Sequence, residues 1–325
     1  MPQLRYRSCI ASLCLLLAPA FVAPVLAGDY PEKPVSLISD AAAGAAPDID
    51  ARFCAEGLTK LWGRQVIVVN RPGANGSIAA RAASEAVPDG YTLFMPALST
   101  FAALPSTAPN LPLRLPRDFL PIGFTADNPM FIAVNPSLGI NTLAELIARA
   151  KKEPDTISIA VTGVGRLTHL TGLMLQQRAG IKLLPVPYNA GPAAAMADVG
   201  TGRVGMIIEG YSGIVGAVKA GQVKLIAVAS RERLPQFPDV PTVAETIPDF
   251  YASGWQVLVA PLGTPAPIIS KISADLAKVV SNPEFKKNLA NVGNYSRPMT
   301  PDEVLAFVAK EQQTWLPVLD MISTK

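Results

Sequence analysis

The stretch AVTGVGRLTHLTGLMLQ, residues 160–176, decides how this chain is read. Ile157, Ile159 and Val161 alternate with polar or small residues, the period of a half-buried strand. Gly163 and Gly165 then give the backbone freedom to turn sharply. From Thr168 onward Leu170, Leu173, Met174 and Gln177 fall at helical spacing, with Thr168 as the expected N-cap. A glycine turn that feeds a helix leaves unpaired N–H groups at the positive end of the helix dipole, where an anion can sit. Arg166 and His169, the chain's only histidine, lie in the same few residues. An ordinary strand-to-helix turn would carry the same signature, so the stretch alone does not fix a function.

Working outward, the alternation of strand and helix recurs on both sides. Residues 34–39 and 65–70 read as strands, and the helix between them (47–61) puts Ile49, Phe53 and Leu58 on one side. A turn over residues 71–76 leads to Ser77, the expected cap of a second helix, and residues 91–95 form the next strand. Three such alternations predict an α/β fold with parallel strands. Residues 102–118 are proline-rich and read as irregular. Residues 130–134 form a strand, and Thr142 with Glu145 makes a capping box for a helix to Lys152. Beyond the opening stretch, residues 183–186, 204–208 and 224–229 read as further strands. Residues 255–260 form a strand expected to return to the first sheet. Thr264 and Pro265 then open an amphipathic helix through Ile268, Ile272, Leu276 and Val279. Thr300 and Glu303 repeat the capping box ahead of a terminal helix with Val304, Phe307 and Val308 inward.

Bulk composition bounds the function classes. Residues 1–27 read as a secretory signal peptide: Arg5 and Arg7 precede an apolar run, and Val25-Leu26-Ala27 fits cleavage before Gly28. Cys9 and Cys14 lie inside that leader, so no lipid-anchoring cysteine follows it. Without Arg5 and Arg7, 26 basic residues face 25 acidic ones, a net charge of +1. Such a chain has no electrostatic footprint for nucleic acid or for an anionic membrane. Cys54 is the one cysteine outside the leader, so stability is expected from the core and not from disulfides. The remaining length suits two domains.

Seven signatures stand in one order along the chain: Tyr30-Pro31, Asn70-Arg71-Pro72-Gly73-Ala74-Asn75-Gly76, Pro88-Asp89-Gly90-Tyr91-Thr92-Leu93, Thr168-His169-Leu170, Pro185-Val186-Pro187-Tyr188, Asp239-Val240-Pro241-Thr242-Val243-Ala244-Glu245, and Gly263-Thr264-Pro265-Ala266-Pro267. Together they resemble the Bug family, the TctC-like substrate-binding proteins of tripartite tricarboxylate transporters. The resemblance implies a two-domain clamshell of the periplasmic-binding-protein type, with residues 28–127 plus 254–325 in one domain and 128–253 in the other. It implies a small carboxylated ligand in the interdomain cleft, gripped by the turns at residues 40–48 and 162–168. On that basis Asp40, Ala43, Gly44, Ala45, Asp48, Asn75, Thr162, Gly163, Gly165, Arg166, Thr168, Tyr188 and Glu209 are the expected ligand-binding residues. No metal or cofactor is expected. The partners it implies are a small organic acid and the membrane permease subunits of such a transporter, with the protein a periplasmic monomer that hinges near Asn128 and Gly254.

The sequence departs from the family pattern at both turns. The first reads Asp40-Ala41-Ala42-Ala43-Gly44-Ala45, with one glycine of the usual pair and a carboxylate where an anion is expected. The second has Arg166 and Leu167 in place of two hydroxyl residues, Asn189 replaces a frequent lysine, and Gly205 replaces a usual acid. Arg166 can clamp a carboxylate with two parallel hydrogen bonds, or pair with Asp40 across the domains. His169 is expected to steady the turn, Tyr188 to offer its hydroxyl or pack, and Trp255 to pack at the hinge. Enzymatic signatures are missing: there is no Gly-x-Ser-x-Gly, no His-Glu-x-x-His and no dinucleotide loop, since Thr168 stands where a third glycine would be. The alternatives are a receptor that informs a sensor kinase and a secreted α/β hydrolase using Cys54 or an acidic pair.

Overall fold

A computed structural model describes residues 30–102, 114–163, 165–188 and 191–323. The expected leader and Asn189 lie outside the described residues. The chain begins β1 (Val35–Ser39), α1 (Ala46–Trp62), β2 (Val66–Asn70), α2 (Ser77–Ser84), β3 (Thr92–Met95) and the short α3 (Leu98–Ala102). A long strand, β4 (Phe119–Val134), follows. Then come α4 (Leu143–Lys152), β5 (Ser158–Val161), α5 (Leu167–Ala179), β6 (Leu184–Pro187), α6 (Pro192–Gly200), β7 (Met206–Gly210), α7 (Tyr211–Lys219) and β8 (Lys224–Val228). The chain closes with β9 (Ser253–Pro261), α8 (Ala266–Ser281), α9 (Pro283–Asn291) and α10 (Pro301–Ser323).

Among the described residues the strands form the order β2-β1-β3-β9-β4-β7-β5-β6, with β8 also on β4. β1 runs parallel to β2 and β3, and β5 parallel to β6 and β7, as βαβ connections require. The returning strand β9 is antiparallel to both β3 and β4. β4 joins the two halves. Its residues up to Pro129 pair with β9, whereas Met130 to Val134 pair with β7 and β8. The molecule is therefore an α/β clamshell whose two lobes share one strand, with β9 crossing back beside it.

Local chemistry explains most boundaries. α1 opens with Pro47 in its first turn and Asp48 beside the positive dipole end, and it stops at Gly63 in the left-handed region. The Thr142 hydroxyl accepts from the Glu145 N–H at 3.2 Å while the Glu145 carboxylate accepts from Asn141 N–H at 2.6 Å, which fixes the start of α4. Thr300 and Glu303 cap α10 in the same reciprocal way. Thr168 is not the cap of α5. That helix begins at Leu167 with Arg166 in the N-cap position and no side-chain cap, because the turn closes earlier through Arg166 N–H to the Gly163 carbonyl.

The period of two in β4 divides the core. Met130, Ile132 and Val134 join a cluster with Phe94, Leu170, Ile208, Trp255 and Val304. Phe131 and Ala133 face the other way, onto Val199, Ile207 and Tyr211. A third cluster under α1 and α8 packs Leu37, Cys54, Leu58, Leu93, Ile272 and Leu276. Each large side chain so buried contributes roughly 1.5–3 kcal/mol. Among the described residues no helix is long and apolar enough to cross a membrane.

Candidate functional site

A cavity of about 480 Å³ lies where β4 and β9 cross between the lobes. Lobe one supplies Asp40 and Ala45 after β1, Asn75 and Gly76 before α2, and Ala97 and Leu98 after β3. Lobe two supplies Thr162, Gly163, Arg166, Leu167 and Thr168 at the start of α5, with Pro192 and Glu209. The two turns singled out in the sequence meet across the gap. Arg166 Nη1 stands 3.5 Å from Asp40 Oδ2, and a Cβ built on Gly165 would lie 3.0 Å from Asn75 Nδ2.

Asp40 is buried and held from its own lobe. Its carboxylate accepts the Ala97 N–H at 3.2 Å and the Thr100 hydroxyl, and Arg166 completes its shell. The Gly76 loop closes over this arrangement with φ +96. A Cβ there would overlap Thr100 Oγ1 and come within 2.9 Å of Asp40 Oδ2. Gly76→Ala is therefore expected to destabilise the protein by about 1–3 kcal/mol through overpacking and positive-φ strain, and to weaken ligand binding as Asp40 moves. Urea unfolding and titration check this; a variant matching the wild type in both would show that the loop yields freely.

Of the thirteen residues expected at the site, Asp40, Ala45, Asn75, Thr162, Gly163, Arg166, Thr168 and Glu209 line the cavity. Ala43, Gly44, Asp48, Gly165 and Tyr188 stand outside its wall, and for three of them the reason is a partner elsewhere in the protein. Asp48 accepts from Gly44 N–H at 2.9 Å, from Arg52 and from Asn70 Nδ2 at 2.7 Å. Burial pushes its carboxyl upward, but those three hydrogen bonds outweigh burial and hold it below the usual range. The Gly165 N–H is taken by His169 Nδ1 at 3.1 Å, so the histidine steadies the turn. The Tyr188 hydroxyl donates to Asp198 at 2.7 Å.

Other polar groups of the turn line the cavity. Leu167 and Thr168 occupy the first turn of α5, where N–H groups have no partner four residues back within the helix. The Thr168 and Thr162 hydroxyls lie 3.0 Å apart, and Thr162 donates to Glu209 Oε2 at 2.9 Å. Glu209 also accepts the Gly210 N–H at 3.0 Å. Burial raises its carboxyl above the ordinary range, against the opposing pull of those bonds and of Arg166. Two polar wall residues were not among those expected to bind the ligand. Asn128 and Gln256 sit in strands, on the two crossovers, and are buried. Gln256 Nε2 donates to the Pro47 carbonyl at 2.8 Å, while Gln256 Oε1 and Asn128 Oδ1 have no protein partner. Both oxygens are themselves buried, and a buried acceptor without a partner is costly unless a water reaches it.

The model of the tripartite tricarboxylate transporter family receptor matches residues 50–323. The chain belongs to that family. BugT of Bordetella pertussis is 32% identical over 313 residues, covering 95% of this chain and 96% of BugT. Among solved structures, R. palustris Rpa4515 with adipate superposes with a TM-score of 0.85 at 26% identity, covering 90% of this chain and 98% of Rpa4515. MatC of Rhodopseudomonas palustris with bound malate does so with a TM-score of 0.80 at 27% identity, covering 89% and 100%. As a tripartite tricarboxylate transporter family receptor, the chain is a solute-binding protein and not an enzyme. The hydrolase alternative accordingly falls. Cys54, its nominal nucleophile, is fully buried in α1, where burial pushes the thiol up to about 12.

Proposed function

We propose that this receptor works in the periplasm after removal of residues 1–27, as a monomer. It captures a small carboxylated solute between its lobes and delivers it to the membrane permease subunits of a tripartite tricarboxylate-type transporter. The observation that carries this reading is the meeting of the two turns: Arg166 and the first-turn amides of α5 come from one lobe, and Asp40, Asn75 and Gly76 come from the other, around a single cavity. Carboxylates occupy two structural relatives, adipate in Rpa4515 and malate in MatC. A solute that touches both turns favours the closed arrangement by its differential contacts alone. The proposed domains are 28–127 with 254–325, and 128–253, hinging where β4 exchanges partners and β9 begins.

A thermal-shift panel of mono- and dicarboxylates tests the reading. At least one acid should raise the unfolding midpoint in proportion to the logarithm of its concentration and be recovered unchanged. A panel without any stabilising acid, or an acid consumed on incubation, would sink it. Arg166→Ala is expected to weaken the best acid by about 1.5–3 kcal/mol, the worth of a charge-assisted hydrogen bond. Calorimetric titration checks this, and an unchanged dissociation constant removes Arg166 from the site.

A further inference from the structure

We infer that Asp40 sets the charge the cleft accepts, so that this receptor takes small acids with one carboxylate and an apolar body and turns dicarboxylates away. The inference rests on the receptor reading above and narrows it. Among the described residues, the ionisable side chains on the cavity wall are Asp40, Arg166 and Glu209. Two are acids and one is a base, so the wall brings a single cation. That cation already faces a fixed carboxylate: the Asp40 side chain is 0% exposed and is held by Ala97 N–H and Thr100 as well as by Arg166.

Arg166 still has room for one more anion. A guanidinium has five N–H donors, and only Nη1 is directed at Asp40, at 3.5 Å. Its remaining edge and the first-turn amides of α5 form one carboxylate-sized receptor. A second carboxylate on the same solute would meet Glu209, whose oxygens already accept from Thr162 and Gly210, or a wall of neutral side chains, polar at Asn75, Asn128 and Gln256 and apolar at Ala46, Pro47, Leu98, Met130 and Trp255. Neither offers a countercharge, and a charge taken from water without one is strongly disfavoured. The same wall suits methylene or aromatic groups.

Calorimetric titration with two matched pairs tests this: hexanoate against adipate, and butyrate against succinate. Within each pair the carbon count is equal and only the second carboxylate differs. Wild-type protein should bind the monocarboxylate of at least one pair at least tenfold more tightly than its partner. Asp40→Asn keeps an acceptor for Ala97 N–H and frees Arg166, and it should reduce that ratio at least tenfold. Equal or reversed preference in the wild type overturns the inference, and so does an unchanged ratio in a variant whose circular dichroism and unfolding midpoint show it folded. If Asp40→Asn does not fold, the wild-type ratio decides. Failure of both pairs to bind wild-type protein also overturns it, while the receptor reading is judged separately by the thermal-shift panel.

Discussion

Trp255→Ala is expected to cost about 3–5 kcal/mol of folding stability, the range for removing a buried aromatic from a close-packed core. Trp255 is 1% exposed in β9, packs edge-on to Phe307 with ring centroids 5.4 Å apart, and lines the cavity. Its indole Nε1–H donates to Glu311 Oε2 at 3.1 Å. Burial raises the Glu311 carboxyl, and the indole hydrogen bond opposes that shift. The truncation therefore opens a void and strips a buried acid of a donor at once. Trp255→Phe keeps most of the volume and loses only the donor, so about 1–2 kcal/mol is expected. Equilibrium unfolding in urea separates the two. A loss under about 1 kcal/mol for the alanine variant would mean that β9 repacks without its tryptophan.

Asp50→Asn is expected to become progressively more stable than the wild type as pH rises, with the difference growing on the order of 4 kcal/mol between pH 4 and pH 8. Asp50 lies on α1, 1% exposed, with Oδ1 accepting from Asn294 Nδ2 at 2.7 Å and Oδ2 without a partner. Burial lifts its carboxyl to about 7, partly offset by Asn128 and Asn294. The sign follows from proton counting. Between the ordinary carboxyl value and about 7 the folded state holds a proton that the unfolded chain has released. Folding is then progressively disfavoured as pH climbs through that window, and below it the group is neutral to stability. Asp48 and Asp275 act in the opposite sense. Their carboxyls are held low despite burial, so their contribution is complete above the ordinary carboxylate range and fades as pH falls below it. Taking the difference between variant and wild type isolates Asp50. Unfolding midpoints in urea at a series of pH values give the curve; a flat difference would show Asp50 ionised in the folded protein throughout.

How much of this was legible in the residues depended on how local the signal was. The strand, glycine turn and helix around residues 160–176 were readable because period, glycines and apolar spacing all lie within a few residues. The first half of β4 was not. Pro121 and Pro129 interrupt the run, and the register slips between Pro121 and Gly123 and again between Phe124 and Ala126, so no alternation survives to be seen. The site divided along the same line. Asp40 and Arg166 announce themselves as charges beside glycine turns, and they do meet. Asn128 and Gln256 reach the cavity only because two strands cross between sheets, a fact set by pairing between distant segments. Asp48 looks equally available in the sequence, yet Asn70, at the end of β2, and Arg52, one turn along α1, claim its oxygens.

The place of β9 governs the order in which the molecule can be assembled. β3 and β4 are neighbours in the chain but not in the sheet, because β9 lies between them. The sheet of lobe one thus has a missing slat until residues 253–261 have been made, and α8 and α10 have still to cover it. The strands of lobe two, from Met130 to β8, pair with one another and need no strand that comes so late. A chain emerging amino end first can therefore pair the strands of its middle before the sheet of its beginning is whole, and the entropy of closing that long loop falls on the last step.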